Sequence, residues 1–499
     1  MTSNDSEYSL LDETRDNSIK GDDIEPDSFT FDDALDKIGV GWYQMLLLFI
    51  CGGGWFLDGV QLGLVSLILD TLSAAFNLQS FERGFVGSSV FLGMMVGAAV
   101  GGLISDRFGR KIIFLWGSFF VSLCAITNAM APDFYTFVVM RALVGLCLGS
   151  LVPTDQAVLM EFIPRKHRGT FMGLMNIFFS AGAIFVCLLA WATLENIEPS
   201  KAWRYFVGIS GAPGVLVFLS RIMIPESPRF LMVNGQMDQA FRILKDVARY
   251  NRTFVPNGTL VNYNADPSGR KFSTIEQITK LFSPQLARTT ILLIIIWFGL
   301  SYGNYGFGFL IPTEMLKKRS GDADSAINKY LNVYSKTLIV ISVGVFGFVI
   351  VSLIMDKIGR RFLMCVSLLV GGVLVACLAI STNSIFVLVL STIINLISTI
   401  PWAVIYTYTP EVYPTVIRAT GVGLCSAFAR LAGTVTPLIG TMMYDADRIY
   451  PFVSFGVVLV IAGFCAALLP IETLGRVLQD EVEKKDDEVI ENPRQENVE

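Results

Sequence analysis

The sequence predicts an all-α integral membrane protein with twelve transmembrane helices in two six-helix pseudo-symmetric halves, and three observations carry this. Of 499 residues, 53% are hydrophobic and 16% charged, against about a quarter charged in soluble domains. The apolar residues gather in runs near twenty long, one of which contains Ile-Leu-Leu-Ile-Ile-Ile-Trp-Phe-Gly-Leu at 291–300. About twenty apolar residues cross the hydrocarbon layer as a helix, whereas a closed barrel would show strict alternation. Third, short polar motifs between the runs recur at one constant spacing.

In chain order, residues 1–41 read as an acidic, solvated cytoplasmic tail. They lack the basic start and short apolar core of a cleaved leader, so the first helix is expected to target the chain. Apolar runs then place helices 1–6 at 42–66, 84–104, 112–131, 135–160, 170–192 and 203–224. Residues 225–287 form a polar cytoplasmic linker. Within it, 236–250 can fold as a helix with Phe241, Leu244 and Val247 on one face, and Ser273 with Glu276 forms a capping box for another. Helices 7–12 follow at 288–311, 331–354, 362–382, 385–409, 416–441 and 450–470, and 471–499 is a second cytoplasmic tail. The eight cysteines fall in or beside spans as small apolar filler, which implies no disulfide framework.

The repeat is read from two independent loops. Asp106-Arg107-Phe108-Gly109-Arg110-Lys111 returns 250 positions later as Asp356-Lys357-Ile358-Gly359-Arg360-Arg361, and Glu161 with Arg168 returns at the same shift as Glu411 with Arg418. Glu226, in Pro225-Glu226-Ser227, is echoed by Glu472 at a slightly shorter offset, and Arg229 follows Glu226 closely. Parallel six-helix repeats with a solute site between them near the midplane are a recurrent carrier architecture. The loop glycines permit tight turns, while the acids and arginines can pair at facing helix ends when a cytoplasmic gate is shut. A plainer reading is charge anchoring of cytoplasmic loops, which accounts for the arginines but not for the repeated acids. By the same rule both termini are cytoplasmic.

Ionisable residues within spans are costly and mark function by default. Asp58 in helix 1 and Arg141 in helix 4 lie eight and six residues from the expected outer ends, or about 12 and 9 Å. At that matched depth they can pair and part, binding and releasing a proton with the conformational cycle; a static pair that fixes helix packing is the competing reading. Arg430, mid-span in helix 11, needs an anion, either a solute carboxylate or a distant Asp. Asp155 lies nearer the cytoplasmic end of helix 4 and is expected to reach interfacial water. Gly145 and Gly149 are expected to allow close helix contact. Helix 7 carries Asn304 and Tyr305 in an irregular glycine-rich stretch, 301–308, of the kind that unwinds beside a site. Helix 10 adds Trp402 and Tyr406, although aromatic stripes also serve packing.

The loop motifs and Pro-Glu-Ser-Pro-Arg at 225–229 resemble the sugar porter and organic-ion branch of the major facilitator superfamily across essentially all twelve helices. Asp58-Gly59-Val60, and Tyr406 to Thr415 continuing through Arg418, Gly421, Cys425 and Arg430, are most similar to the synaptic-vesicle-2-related transporters. The resemblance implies a major facilitator fold and a secondary carrier of a small organic solute by alternating access. Asp58 and Arg141 are then proton-coupling residues; Arg430, Gln61, Asn304, Tyr305, Trp402 and Tyr406 are substrate candidates. Gln61 stands where vesicle relatives often carry an acid, and helix 7 lacks the paired glutamines of hexose carriers, although Pro401-Trp402 resembles them. With Arg430 these tilt the substrate toward an organic anion.

The expected partners are a solute, protons and the bilayer, with the protein a monomer in the plasma membrane or an endolysosomal or vesicular membrane. No cofactor, metal or nucleic acid is expected. A pump or other enzyme is disfavoured because no Gly-x4-Gly-Lys-Ser/Thr segment occurs. A transporter-like receptor or vesicle component that does not transport, or a sugar or organic-cation carrier, stands as the alternative.

Overall fold

A computed structural model of the chain describes residues 28–261, 274–316, 332–381 and 383–473. The side chains of Asp106 and Asp356, and Ser273, lie outside what it describes. Twelve helices long and apolar enough to cross a membrane are present among the described residues. They are Trp42–Phe76, Ser80–Phe108, Arg110–Asn128, Phe134–Phe162, Arg168–Leu194 and Pro199–Arg221 in the first half. The second half has Ala287–Leu316, Val333–Ile358, Arg360–Cys377, Ser384–Val412, Thr415–Ala446 and Ile449–Ala467. We number them 1–12.

Helix ends follow local chemistry. Helix 1 runs ten residues beyond its expected end at 66 and stops at Asn77, whose left-handed backbone (φ 54°) returns its N–H to the Ser73 carbonyl. Backbone hydrogen bonding does not stop where hydrocarbon does, so an apolar run marks a minimum length only. Asp133 and Asn332 cap helices 4 and 8 by accepting the Thr136 and Ser335 amides at 2.8 and 2.9 Å. Gly109 and Gly359 take φ of 97° and 98°, the left-handed turn that the two repeated loops require of glycine.

Helices 2 and 4 meet through small residues: a side chain at Gly93 or Gly97 would strike the backbone of Ala142 or Leu146, and one at Gly145 or Gly149 that of Val90 or Met94. Helix 1 meets helix 5 likewise through Gly59 and Gly182. Without a hydrophobic force between helices in lipid, such contacts supply the packing attraction. Gly149→Val is expected to lower stability by about 1–3 kcal/mol, read as an earlier thermal melt in detergent. Gly102→Val on helix 2, where an added carbon meets nothing within 4 Å, should leave the melt unchanged.

The halves join along helices 2 with 11 and 5 with 8. Ser88 donates to the Thr434 carbonyl at 2.5 Å, Thr441 to that of Ser80 at 3.1 Å, and Asn332 to Glu195 at 2.6 Å. Helix 7 corrects an expectation: it is continuous through 301–308. Two of its glycines serve close packing instead, since side chains at Gly303 and Gly306 would collide with Leu459 and Phe455 of helix 12. An intact helix also keeps its backbone groups satisfied within the membrane.

Two pieces outside the spans complete the fold. Linker helix Met237–Tyr250 packs Leu244 and Val247 inward. The stretch expected as an acidic tail is built from Ser28 onward: strand β1 (Ser28–Phe29) pairs in parallel with β2 (Thr259–Leu260), and helix Phe31–Ile38 buries Phe31, Ala34, Leu35 and Ile38.

Candidate functional site

A cavity of about 230 Å³ lies between the halves, from the middle of helices 1 and 7 toward their C-terminal ends. Helix 1 contributes Gly59, Gly63, Ser66 and Leu67 among others, helix 7 Asn304, Tyr305, Gly308 and Pro312, and helix 10 Asn395, Ser398, Thr399 and Trp402. Helices 2, 5, 8 and 11 close the wall with residues such as Phe91, Ser180, Thr337 and Pro437. Of the expected substrate residues, Asn304, Tyr305 and Trp402 line this space; Gln61, Tyr406 and Arg430 do not. Asn395 and Thr399 were missed, although two polar residues four apart share one helix face and signal a lined path.

One layer beneath lies an aromatic floor. Tyr305 packs on Trp402 at 5.6 Å between ring centres and Trp402 on Tyr406 at 5.9 Å. Contacts from the other half come from Phe91 to Tyr305 at 4.7 Å and from Trp55 to Tyr406 at 5.5 Å. Trp297 buttresses Tyr406 at 5.0 Å and donates its indole N–H to Thr409 at 3.0 Å. Both ring edges and faces are used, so the floor packs specifically and not merely as apolar bulk.

The buried charges sit among these rings, and their pairing differs from the sequence expectation. Arg141, fully buried, donates to the Gln61 side-chain oxygen at 2.7 Å and to the Gln61 carbonyl at 2.6 Å. The Gln61 amide then reaches the Ser210 carbonyl at 3.4 Å. Arg141 therefore holds Gln61 and forms no ion pair with Asp58. Depth had been counted from a helix end ten residues short, and Gln61 lies three residues, about 4.5 Å, further along helix 1 than Asp58. Asp58 interacts with Arg430 of the opposite half, and its Oδ1 has no hydrogen-bond partner. Arg430 stands near enough to Tyr305, Asp58 and Tyr406 for its charge to act on all three. Its Nη1 lies 3.4 Å from the Met94 sulfur, a weak acceptor.

Asp155 corrects a second expectation. It does not reach water: both it and Arg221 of helix 6 are wholly buried, with Arg221 Nη2 2.8 Å from Asp155 Oδ1 and 2.9 Å from Oδ2. Arg221 also donates to the Phe114 carbonyl at 2.8 Å and rests 4.2 Å from the Phe114 ring centre. The carboxylate fills the space where a side chain on Gly54 of helix 1 would project. Arg221 was missed because an arginine closing an apolar run reads as an interfacial anchor.

The repeated loops form matching networks. Arg110 bonds Glu161 in the first half, and Arg360 Nη1 lies 2.7 Å from Glu411 in the second. Glu226 accepts the backbone N–H of Arg110 and Lys111 at 2.9 and 3.1 Å; Glu472 accepts those of Arg360 and Arg361, both at 3.1 Å. Arg168 and Arg418 each donate Nε to a carbonyl five residues earlier, Ile163 or Tyr413, at 3.2 Å. Arg107 is exposed, over the Phe108 ring. In the first half Arg168 and Arg229 both also donate to Asp32, ahead of helix 1.

Residues 49–483 match the family described as Sugar (and other) transporter. The chain is 31% identical to the synaptic vesicle 2-related protein of Xenopus laevis, covering 91% of this chain and 83% of the relative. It is 29% identical to organic cation/carnitine transporter 7 of Arabidopsis thaliana, over 91% and 96%. The inward-open structure of the xylose transporter XylE from E. coli superimposes with a TM-score of 0.69 at 19% identity, covering 87% of this chain and 98% of XylE, which matches the fold. With twelve spans, a cavity between two halves and duplicated loop networks, the chain belongs to the sugar-porter family of major facilitator transporters.

Proposed function

We propose that this transporter is secondary active and proton-coupled, and that it favours a small organic anion such as a nicotinate-like carboxylate. The observation that carries this reading is the Asp58–Arg430 arrangement: a guanidinium of one half interacts with a carboxylate of the other, beneath the cavity and without a direct ion pair. A solute carboxylate that passes the Tyr305–Trp402 floor competes with Asp58 for Arg430. An isolated buried carboxylate is strongly disfavoured, so Asp58 takes up a proton as it loses its counter-charge. Solute and proton then cross together when the halves rock, and re-formation of the Asp58–Arg430 interaction expels the proton. The aromatic floor suits a flat ring, and neutral Asn304, Asn395 and Thr399 offer hydrogen bonds to the solute's remaining polar atoms. The Arabidopsis relative is named for organic cations and for carnitine, a zwitterion whose carboxylate alone speaks for this reading.

Purified protein at solute 100-fold above its dissociation constant should gain about 2.7 kcal/mol of stability. Thermal shift across a panel of ring carboxylates measures it, and Arg430→Ala should erase the shift. A response to neutral sugars alone would refute the anion assignment. A vesicle-membrane role without transport, which the vesicle-protein relatives bring to mind, predicts no shift with any solute. The basic loops support cytoplasmic termini, and the same relatives support a vesicular membrane.

A further inference from the structure

One carboxylate in the first-half loop network, Asp32, comes from the segment ahead of helix 1, and the position 250 residues after it is Phe282. Residues 28–38 are built into the rim. Thr30 opens the helix with a capping box, its hydroxyl accepting the Asp33 amide at 3.2 Å while Asp33 accepts the Thr30 amide at 3.3 Å. The buried face of that helix joins one apolar cluster with Phe162 and Ile163 of the helix 4–5 corner, Phe171 of helix 5 and Leu244 of the linker.

This docking places Asp32 between two cations. Its Oδ1 accepts Arg168 Nη2 at 2.7 Å and Arg229 Nη2 at 2.6 Å, and Arg165 Nη2 stands 3.7 Å from Oδ2. Asp33 and Asp36 hold Arg165 as well, Asp36 by accepting its backbone N–H at 2.9 Å. Burial works to raise the Asp32 pKa, but Arg229, Arg168 and Arg165 outweigh it and hold the carboxyl below the usual range. Arg168 follows helix 4 and Arg229 follows helix 6, so one oxygen atom ties the ends of two helices that repel each other without it.

We propose that Asp32 is a positioning residue of the cytoplasmic gate: by bridging Arg168 and Arg229 it holds the first half's rim in its closed arrangement, and its charge sets how readily that rim opens. The inference rests on the alternating-access reading of the transporter. Neutralising Asp32 leaves two facing guanidiniums unbridged and loosens the corner, whereas removing one of those cations as well relieves the repulsion.

The test is hydrogen exchange on full-length protein in nanodiscs, which needs no solute. Asp32→Asn should raise exchange at least tenfold in amides 165–168 and 229–233. Asp32→Glu should restore most of the protection, and the double variant Asp32→Asn with Arg229→Gln should exchange more slowly than Asp32→Asn alone. A segment that merely packs would not be rescued by loss of a second charge. Unchanged exchange in Asp32→Asn, or a double variant looser than the single, overturns the inference. In proteoliposomes the same single variant should slow uptake while solute affinity by thermal shift stays within twofold; slowed uptake with equally weakened affinity would also overturn it. If the wild type binds and moves no carboxylate, the proposed function fails while the exchange result still decides the role of Asp32.

Discussion

Asp58→Asn is expected to abolish solute accumulation driven by a pH gradient while leaving solute exchange intact. With one proton per solute, a gradient of one pH unit is worth about 1.4 kcal/mol, or about tenfold accumulation. The asparagine variant should reach about equal concentrations on both sides. Exchange needs only rocking of a loaded carrier, and an amide at position 58 mimics the protonated acid that the loaded state requires. Radiolabelled uptake into proteoliposomes, beside counterflow in the same preparation, separates the two. Tenfold accumulation by the variant would remove Asp58 from the coupling, and loss of counterflow as well would mean that the site itself had failed. The interaction with Arg430 sharpens the case, because that carboxylate and its counter-charge sit on halves that move relative to one another, whereas Arg141 and Gln61 share a half.

The second large effect concerns the Asp155–Arg221 pair. Removing one member of a buried pair leaves a charge with nothing to balance it, which typically costs about 3–5 kcal/mol; replacing both with neutral groups is often near neutral. Arg221→Ala should therefore melt far earlier than wild type in detergent, and Asp155→Asn nearly as early. Asp155→Asn with Arg221→Gln should recover most of the loss, because no net buried charge remains. Additive losses in the double variant would show that the two residues act separately. Gly54 adds a constraint of shape: any side chain there collides with the Asp155 carboxylate.

Much of the fold was legible because lipid imposes a crude length rule and duplication leaves a register. Helix identity followed from both. Helix ends did not, since the chain past Ser66 keeps its hydrogen bonds until Asn77 breaks the geometry. Within the site, residue types were legible and partners were not. Asp58 and Arg141 lie at matching depth only if helix 1 ends at 66; with its end at Phe76, Gln61, three residues further along the same face, meets helix 4, and no local pattern encodes that offset. Glu226 and Arg110 stand 116 positions apart, so their contact depends on how helices 3 and 6 pack. Asp32 escaped notice for another reason: an acidic segment averages to a solvated tail by composition, and only its alternation of apolar Phe31, Leu35 and Ile38 with acids reveals a docked helix. Gly303 and Gly306 of helix 7 read as part of a break and proved to be contact points.

The two glutamates after helices 6 and 12 resolve a conflict built into the loops. Arg110 and Lys111, like Arg360 and Arg361, begin a helix, where the aligned peptide dipoles already present about half a positive charge and each added cation costs roughly 0.3–1 kcal/mol. A loop that must carry such cations to stay on one side of a membrane thus weakens the helix it opens. Glu226 and Glu472 place an anion directly on those first amides. Each half can therefore keep its topological charge and a stable helix start together, but only after its sixth helix has been made and folded back. During synthesis, helices 3 and 9 then begin with their first turns uncompensated, and the completed half secures them.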